Sequence, residues 1–181
     1  MHTIRAGNTL QNVTPQTLDH IISQPLLVEN LKIYISAYWN DRADGRTSSL
    51  PPILLCSPPS GGKTTVATCI HNELANSKMV ETIGESLNQL TELYDICMEA
   101  DQETTVFVDE TQGMGSRPTH VLLKILSEGK LSIPKGKSGR KTYTIPVAQG
   151  TTFIFATTHE YCISSALRSR LRIFRFEEYS E

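Results

Sequence analysis

A four-residue apolar run, Ile53-Leu54-Leu55-Cys56, breaks off at Ser57-Pro58-Pro59-Ser60-Gly61-Gly62-Lys63-Thr64, after which helix-forming residues resume. This junction constrains the fold more than any other stretch. A short buried strand has to stop at a turn rich in Pro and Gly, and the pattern predicts a helix over 63–75. Strand, tight loop and helix N-terminus in that order make a cradle for phosphate. Consecutive backbone N–H groups and the positive end of the helix face the anion, Lys63 reaches the β- and γ-oxygens, and the Thr64 hydroxyl can ligate Mg²⁺. At the first position of the usual G-x-x-x-x-G-K-[ST] pattern this chain has Ser57 in place of Gly.

Around this junction the chain alternates between apolar runs and helical patterns. Pro15 marks a helix start, and Pro25 opens a second stretch in which Leu27, Leu31, Tyr34, Ile35 and Tyr38 recur at helical spacing. A loop is expected over 40–49. Further helices are predicted over 86–100, 119–126 and 164–170, and further strands over 105–108, 152–156 and 172–176. Continuous apolar strands separated by helices indicate an α/β fold whose parallel sheet is covered on both faces. Such sheets bind ligands at the carboxyl ends of their strands. One stretch interrupts the alternation: two short runs, over 131–134 and 142–147, flank Lys135-Gly136-Lys137-Ser138-Gly139-Arg140-Lys141 and read as an inserted β-hairpin.

Composition narrows the function classes. The 181 residues fit one domain, large enough to bury ~70% of its unfolded surface without staples. No apolar run approaches the ~20 residues that span a bilayer, and residues 1–11 lack the apolar centre of a signal peptide, so a soluble, cytoplasmic chain with no membrane partner is expected. Cys56, Cys69, Cys97 and Cys162 form no CxxC pair and read as reduced thiols. The five histidines show no metal-ligand spacing. A net charge of −2 gives no global footprint for nucleic acid, so any DNA contact has to rest on a local patch.

A second strand supplies the partners a phosphate loop needs. Val106-Phe107-Val108-Asp109-Glu110 is apolar and ends in two carboxylates: Asp109 can hold Mg²⁺, and Glu110 can orient and deprotonate an attacking water. A third, Phe153-Ile154-Phe155-Ala156-Thr157-Thr158, ends in hydroxyls at the same sheet edge, within reach of a γ-phosphate. Beyond it, Leu167-Arg168-Ser169-Arg170-Leu171-Arg172 is basic. Residues two apart on a helix point in different directions, so Arg168 and Arg170 cannot serve one site equally.

Together these residues resemble the large ATPase subdomain of AAA+ proteins, and among them the RuvB family of Holliday-junction branch-migration motors, over about 13–178. Residues 15–24 resemble the family's leading segment near adenine, which places Ile21 and Ile22 at the base, and residues 29–35 resemble its first long helix. Asp109-Glu110 matches Walker B, Ala156-Thr157-Thr158 resembles the sensor 1 strand with Thr158 sensing, and Ser165-Ala166-Leu167-Arg168-Ser169-Arg170 resembles the arginine-finger segment with Arg170 as finger.

The resemblance implies a five-stranded parallel sheet and ATP bound by residues 57–65 (Ser57, Pro58, Pro59, Ser60, Gly61, Gly62, Lys63, Thr64 and Thr65) with Ile21, Ile22 and Asp109. It also implies Mg²⁺ on Thr64 and Asp109, and catalysis by Glu110, Arg170, Thr158 and Lys63. It further implies a homo-oligomeric ring in which the finger acts on a neighbour. The hairpin stands where the family docks a partner protein and where related helicases touch DNA; Lys135, Lys137, Arg140 and Lys141 are the candidate contacts.

The sequence departs from the family at Ser57 and Ser60, where Gly is usual, at Gly61, where a larger residue is usual, and at Thr111-Gln112-Gly113, where the family has Ile-His-Arg. The family continues into a lid and a winged-helix domain, for which this sequence has no counterpart. Two other readings stand beside an ATP-driven DNA motor: a nucleotide-controlled assembly or regulatory module with little hydrolysis, and a small P-loop kinase. The kinase would not call for Asp109, Glu110, Thr158 and Arg170 together.

Overall fold

The computed structural model describes residues 14–135 and 141–177. Through them run α1 (Pro25–Ala43), β1 (Ile53–Cys56), α2 (Lys63–Glu73), β2 (Lys78–Ile83), α3 (Leu90–Glu99), β3 (Thr104–Asp109), α4 (Ser116–Glu128), β4 (Lys130–Lys135), β5 (Lys141–Pro146), β6 (Thr152–Thr157), α5 (Ser165–Arg168) and β7 (Arg172–Arg175). Five strands form a parallel sheet in the order β2-β3-β6-β1-β7. β4 and β5 form a separate antiparallel hairpin.

Strand alternation explains why the central strands read as unbroken apolar runs. Successive side chains leave opposite faces of a strand. Ile53 and Leu55 of β1, Phe107 of β3 and Ile154 and Ala156 of β6 therefore enter one core layer, beneath α1 and α2. Leu54, Cys56, Val106, Val108, Phe153 and Phe155 enter the other, with Leu93, Ile96, Leu122 and Ile125 of α3 and α4. Both faces being covered, the middle of each of these strands is apolar, and polar residues such as Thr104, Thr105, Thr152 and Thr157 stand at the strand ends. Burial of each large apolar side chain is worth ~1.5–3 kcal/mol.

The fifth strand, β2, is not marked by any apolar run. It lies at the sheet edge with β3 as its one neighbour, so Lys78, Glu81 and Thr82 can stay solvated. The helix expected from Pro15 is only a 3-10 turn, Leu18–His20. Its leading amides are claimed by side chains: His20 Nδ1 accepts from the amides of Gln16 (3.2 Å) and Thr17 (3.4 Å), and Glu73 takes that of Leu18 (2.7 Å). α1 continues to Ala43, into the stretch expected to be loop. The helix expected over 86–100 is split by the extended backbone of Gln89 (φ −106, ψ 140) into a 3-10 turn, Ser86–Asn88, and α3.

The hairpin grows from the end of α4, where Gly129 (φ 65) closes the helix by donating its amide to Ile125 O at 2.8 Å and its carbonyl accepts from Val147 N at 2.9 Å. Leu131 anchors it in the second core layer. Lys135 pairs with Lys141 across the ladder; Lys137 and Arg140 fall outside the described residues. Among the described residues no helix is long and apolar enough to cross a membrane.

Candidate functional site

Three strand ends meet at one edge of the sheet. β6 lies between β1 and β3, with Cys56 beside Thr157 and Val108 beside Phe155, so the loop after Cys56, the Thr157-Thr158 pair and the Asp109-Glu110 pair are neighbours. Ser57 N donates to Thr157 O at 3.3 Å and carries the contact one residue past the strands.

The loop is wound tightly. Ser60 (φ 60) and Gly62 (φ 88) both lie in the left-handed region, Gly61 N donates to Pro58 O at 3.2 Å, and Val66 N donates back to Gly62 O at 2.9 Å as α2 opens. Lys63 is buried, and its Nζ donates to the carbonyls of Ser57 (3.1 Å) and Pro58 (3.2 Å). The ammonium is thus held against carbonyls of the loop itself. Thr64, in the first turn of α2, is exposed at the mouth.

A cleft of about 350 Å³ runs from the loop to the leading segment, lined by His20, Ile21, Ile22, Gly61, Gly62 and Thr65 among others. Its size suits a small ligand. Gln24 is buried beside it and pairs by both ends of its amide with one backbone position: Nε2 donates to Glu177 O (2.9 Å) and Oε1 accepts from Glu177 N (2.7 Å). Ile21 and Ile22, expected at the base, do line this cleft.

At the end of β3 the backbone turns sharply, Glu110 taking φ 44, ψ 50. Asp109 Oδ1 accepts the Glu110 amide at 2.8 Å. Glu110 Oε2 accepts from Thr158 Oγ1 at 3.2 Å and, in a close contact, from Gln112 Nε2. The same Gln112 Nε2 lies 3.3 Å from Thr158 Oγ1, while Gln112 Oε1 accepts from Thr157 Oγ1 at 2.5 Å. Glu110, Gln112, Thr157 and Thr158 are therefore one network.

Two contributors have no motif to announce them. Gln112 enters the sequence reading only as a departure from the family. Gly84, at the end of β2, donates its amide to Asp109 O at 2.8 Å and lies so close to the Glu110 turn that a β-carbon there would be 2.3 Å from Glu110 O.

The two arginines are separated. Arg168 turns toward Glu160, 4.0 Å away. Arg170 is exposed, with Nε donating to Ser127 Oγ at 2.6 Å and Nη1 to Ala166 O at 2.8 Å. Burial pushes the thiol of Cys56, directly below the loop, up to about 12, and the nearby Glu160 carboxylate adds to the effect.

The donor set fits a hard divalent cation that keeps most of its ligands as water and phosphate oxygen. It offers one carboxylate and one hydroxyl, Asp109 and Thr64, and the described residues contain no cluster of three or more His, Cys, Asp or Glu.

A phosphate loop between β1 and α2, paired carboxylates ending β3 and hydroxyls ending the strand between them define a P-loop nucleoside-triphosphatase fold of the AAA+ class. Residues 13–176 match the family described as the Holliday junction DNA helicase RuvB P-loop domain, and the chain belongs to that family. Among curated relatives, the Holliday junction branch migration complex subunit RuvB of Koribacter versatilis is 34% identical over 92% of this chain and 45% of its own length. That of Neorickettsia sennetsu is 31% identical over 90% and 47%. The chain thus spans about half the length of the curated relatives it matches. A solved Thermotoga maritima RuvB superposes with a TM-score of 0.77 at 25% identity, over 93% of this chain and 50% of that one. Another, described as the Holliday junction branch migration motor, gives 0.72 at 25% identity, over 92% and 49%.

Proposed function

We propose that this chain binds and hydrolyses ATP as the core of an oligomeric, cytoplasmic motor that acts on branched DNA during recombination and repair. The observation that carries the reading is the 3.2 Å hydrogen bond from Thr158 to Glu110, at the ends of β6 and β3 beside the phosphate loop. It joins a γ-phosphate sensor to a general base in one unit. Curated relatives are named as subunits of a Holliday junction branch migration complex, which supports the DNA substrate, the assembly with copies of itself and a partner protein.

In this reading the triphosphate lies over the amides of residues 57–65 with its base against Ile21 and Ile22. Lys63 turns from the loop carbonyls to the β- and γ-oxygens. Thr64 and Asp109 would hold Mg²⁺, which would neutralise charge on the phosphates. Glu110 takes a proton from water as the water oxygen bonds to the γ-phosphorus, and the bond to the ADP oxygen breaks. Thr158 donates to the γ-phosphate. Arg170, exposed beyond the end of α5, serves the neighbouring subunit; Arg168, half-buried and turned toward Glu160, does not. Lys135, Lys137, Arg140 and Lys141 offer the hairpin's contact with DNA phosphates or the partner.

ATP turnover measured against protein concentration tests the reading, with Lys63→Ala, Glu110→Gln and Arg170→Ala in parallel. Turnover per chain should rise with concentration. Lys63→Ala should lose binding, Glu110→Gln should bind but turn over ~10²–10⁴-fold more slowly, and Arg170→Ala should lose ~10³-fold or more. An Arg170→Ala variant as active as the parent overturns the finger. Binding without turnover at every concentration favours the regulatory module, and no stimulation by four-way-junction DNA removes the DNA substrate.

A further inference from the structure

The hydroxyl of Thr158 has one proton and more than one acceptor. In this structure it lies 3.2 Å from Glu110 Oε2 and 2.8 Å from His159 Nδ1, and in the proposed reaction it must also donate to the γ-phosphate. It cannot hold Glu110 and the phosphate at once. When it turns to the phosphate, Glu110 keeps Gln112 as its remaining side-chain donor. Gln112 is equipped for that task. Its carbonyl oxygen is fixed by Thr157, a fully buried side chain at the end of β6, which sets the amide so that Nε2 faces the Glu110 carboxylate. Only Oε2 is taken; among the described residues Oε1 has no protein donor, and a base needs one oxygen free within reach of the water.

We infer that Gln112 is the positioning residue for the general base: Thr157 orients its amide, and its Nε2 holds Glu110 Oε2 so that Oε1 remains aimed at water after Thr158 has moved to the γ-phosphate. The inference rests on the hydrolysis reading above. It explains how this chain works with Thr111-Gln112-Gly113 after its Walker B acids, since a primary amide can accept from β6 and donate to Glu110 at the same time. Gln112 acts through Glu110, with Thr158 as the second neighbour of its Nε2.

The test is steady-state ATP hydrolysis and binding of a fluorescent ATP analogue by the whole chain, comparing the parent with Gln112→Ala, Gln112→Glu and Thr157→Val. Gln112→Ala should lower kcat ~10–100-fold while the affinity for the analogue changes by less than about twofold, because a misaimed base costs rate without touching the phosphate cradle. Thr157→Val should lower kcat less, and combined with Gln112→Ala should add little, since the Thr157–Gln112 contact is already lost and only the acceptor for the His159 amide is newly removed.

Gln112→Glu removes the donor and sets two carboxylates against each other, which raises the pKa of the pair. Its kcat should recover as the pH falls and a shared proton restores a donor, a profile that a merely structural role does not produce. Its melting temperature should fall relative to the parent's as pH rises from 5 to 8 (about the span in which such a pair titrates), and adding Glu110→Gln should abolish that trend.

Parent-level kcat in Gln112→Ala, or a stability trend in Gln112→Glu unaffected by Glu110→Gln, overturns the positioning role while leaving the hydrolysis reading intact. A parent chain without turnover, assembled and with DNA present, overturns the hydrolysis reading and the positioning role with it.

Discussion

Ser57 and Gly61 occupy one space. A β-carbon at position 61 would fall 2.1 Å from Ser57 Oγ and 2.9 Å from Ser57 Cβ, and the Ser57 hydroxyl is turned onto Pro58 O at 2.8 Å, inside the loop. Two of the three departures from the family loop, Ser57 and Gly61, are therefore a single exchange of volume, a side chain gained at one position and given up at the other. Gly61→Ala should overpack the loop and cost ~1–3 kcal/mol, a fall in melting temperature of roughly 2–4 °C per kcal/mol for a domain of this size. Adding Ser57→Gly should recover most of the loss in a thermal melt. If the double variant melts no higher than Gly61→Ala alone, the exchange is not what shapes this loop.

Gly84 sets the Glu110 turn from outside the motif. A methyl group there meets backbone on two sides, Glu110 O at 2.3 Å and Met114 N at 3.1 Å, and backbone cannot swing away as a side-chain tip can. Gly84→Ala should cost ~1–3 kcal/mol in urea unfolding and lower ATP turnover by ~10²-fold through displacement of the base. Nucleotide affinity should hold, since Gly84 does not line the cleft. Normal turnover in the variant would show that the turn tolerates displacement.

The four thiols divide three to one. Cys56, Cys69 and Cys97 are buried and Cys162 is exposed; burial pushes the first three up to about 12, 11 and 12, respectively. A thiolate-selective reagent at mildly alkaline pH should modify one thiol per native chain, at Cys162, and all four in denaturant. Rapid native modification of a second thiol would mean that the sheet opens on the labelling timescale.

Glu160 ties the end of β7 to the segment after β6. Arg175 donates to both its oxygens, each at 2.7 Å, and holds the carboxyl below its ordinary 4.5. A lowered carboxyl stabilises fully above its unfolded value and loses that contribution as pH falls through the folded one. With Arg175 64% exposed, the pair is worth ~0.5–1 kcal/mol. Glu160→Gln should be less stable than the parent by about that amount at pH 7, with the gap closing below about pH 4. A gap independent of pH would assign the effect to packing instead.

What could be read from sequence followed burial. β1, β3 and β6 are covered on both faces and show as apolar runs, and the loop between Cys56 and Lys63 shows because a phosphate-loop pattern sets Gly, Lys and Thr at fixed offsets. β2 escaped because an edge strand can keep Lys78, Glu81 and Thr82 in water, leaving neither a run nor a clean alternation. The turn at Leu18–His20 looked like a helix because Pro15 is a good helix opener; its amides instead go to His20 and Glu73, a partner far along the chain. Lys63, Glu110 and Thr158 could be located from strand ends. The tie between Glu110 and Gln112 could not, since it depends on how sharply the backbone turns at Glu110, and a lone polar residue after an acidic pair carries no periodic signal.

The Gln24 amide closes against Glu177, 153 residues away in sequence, and Phe176 lines the same cleft as Ile21 and Ile22. Synthesis proceeds from the N-terminus, so a nascent chain carries residues 57–65 long before Phe176 and Glu177 close this cleft. The cleft is thereby finished only when β7 has emerged and docked, so its walls come from the two ends of the described chain.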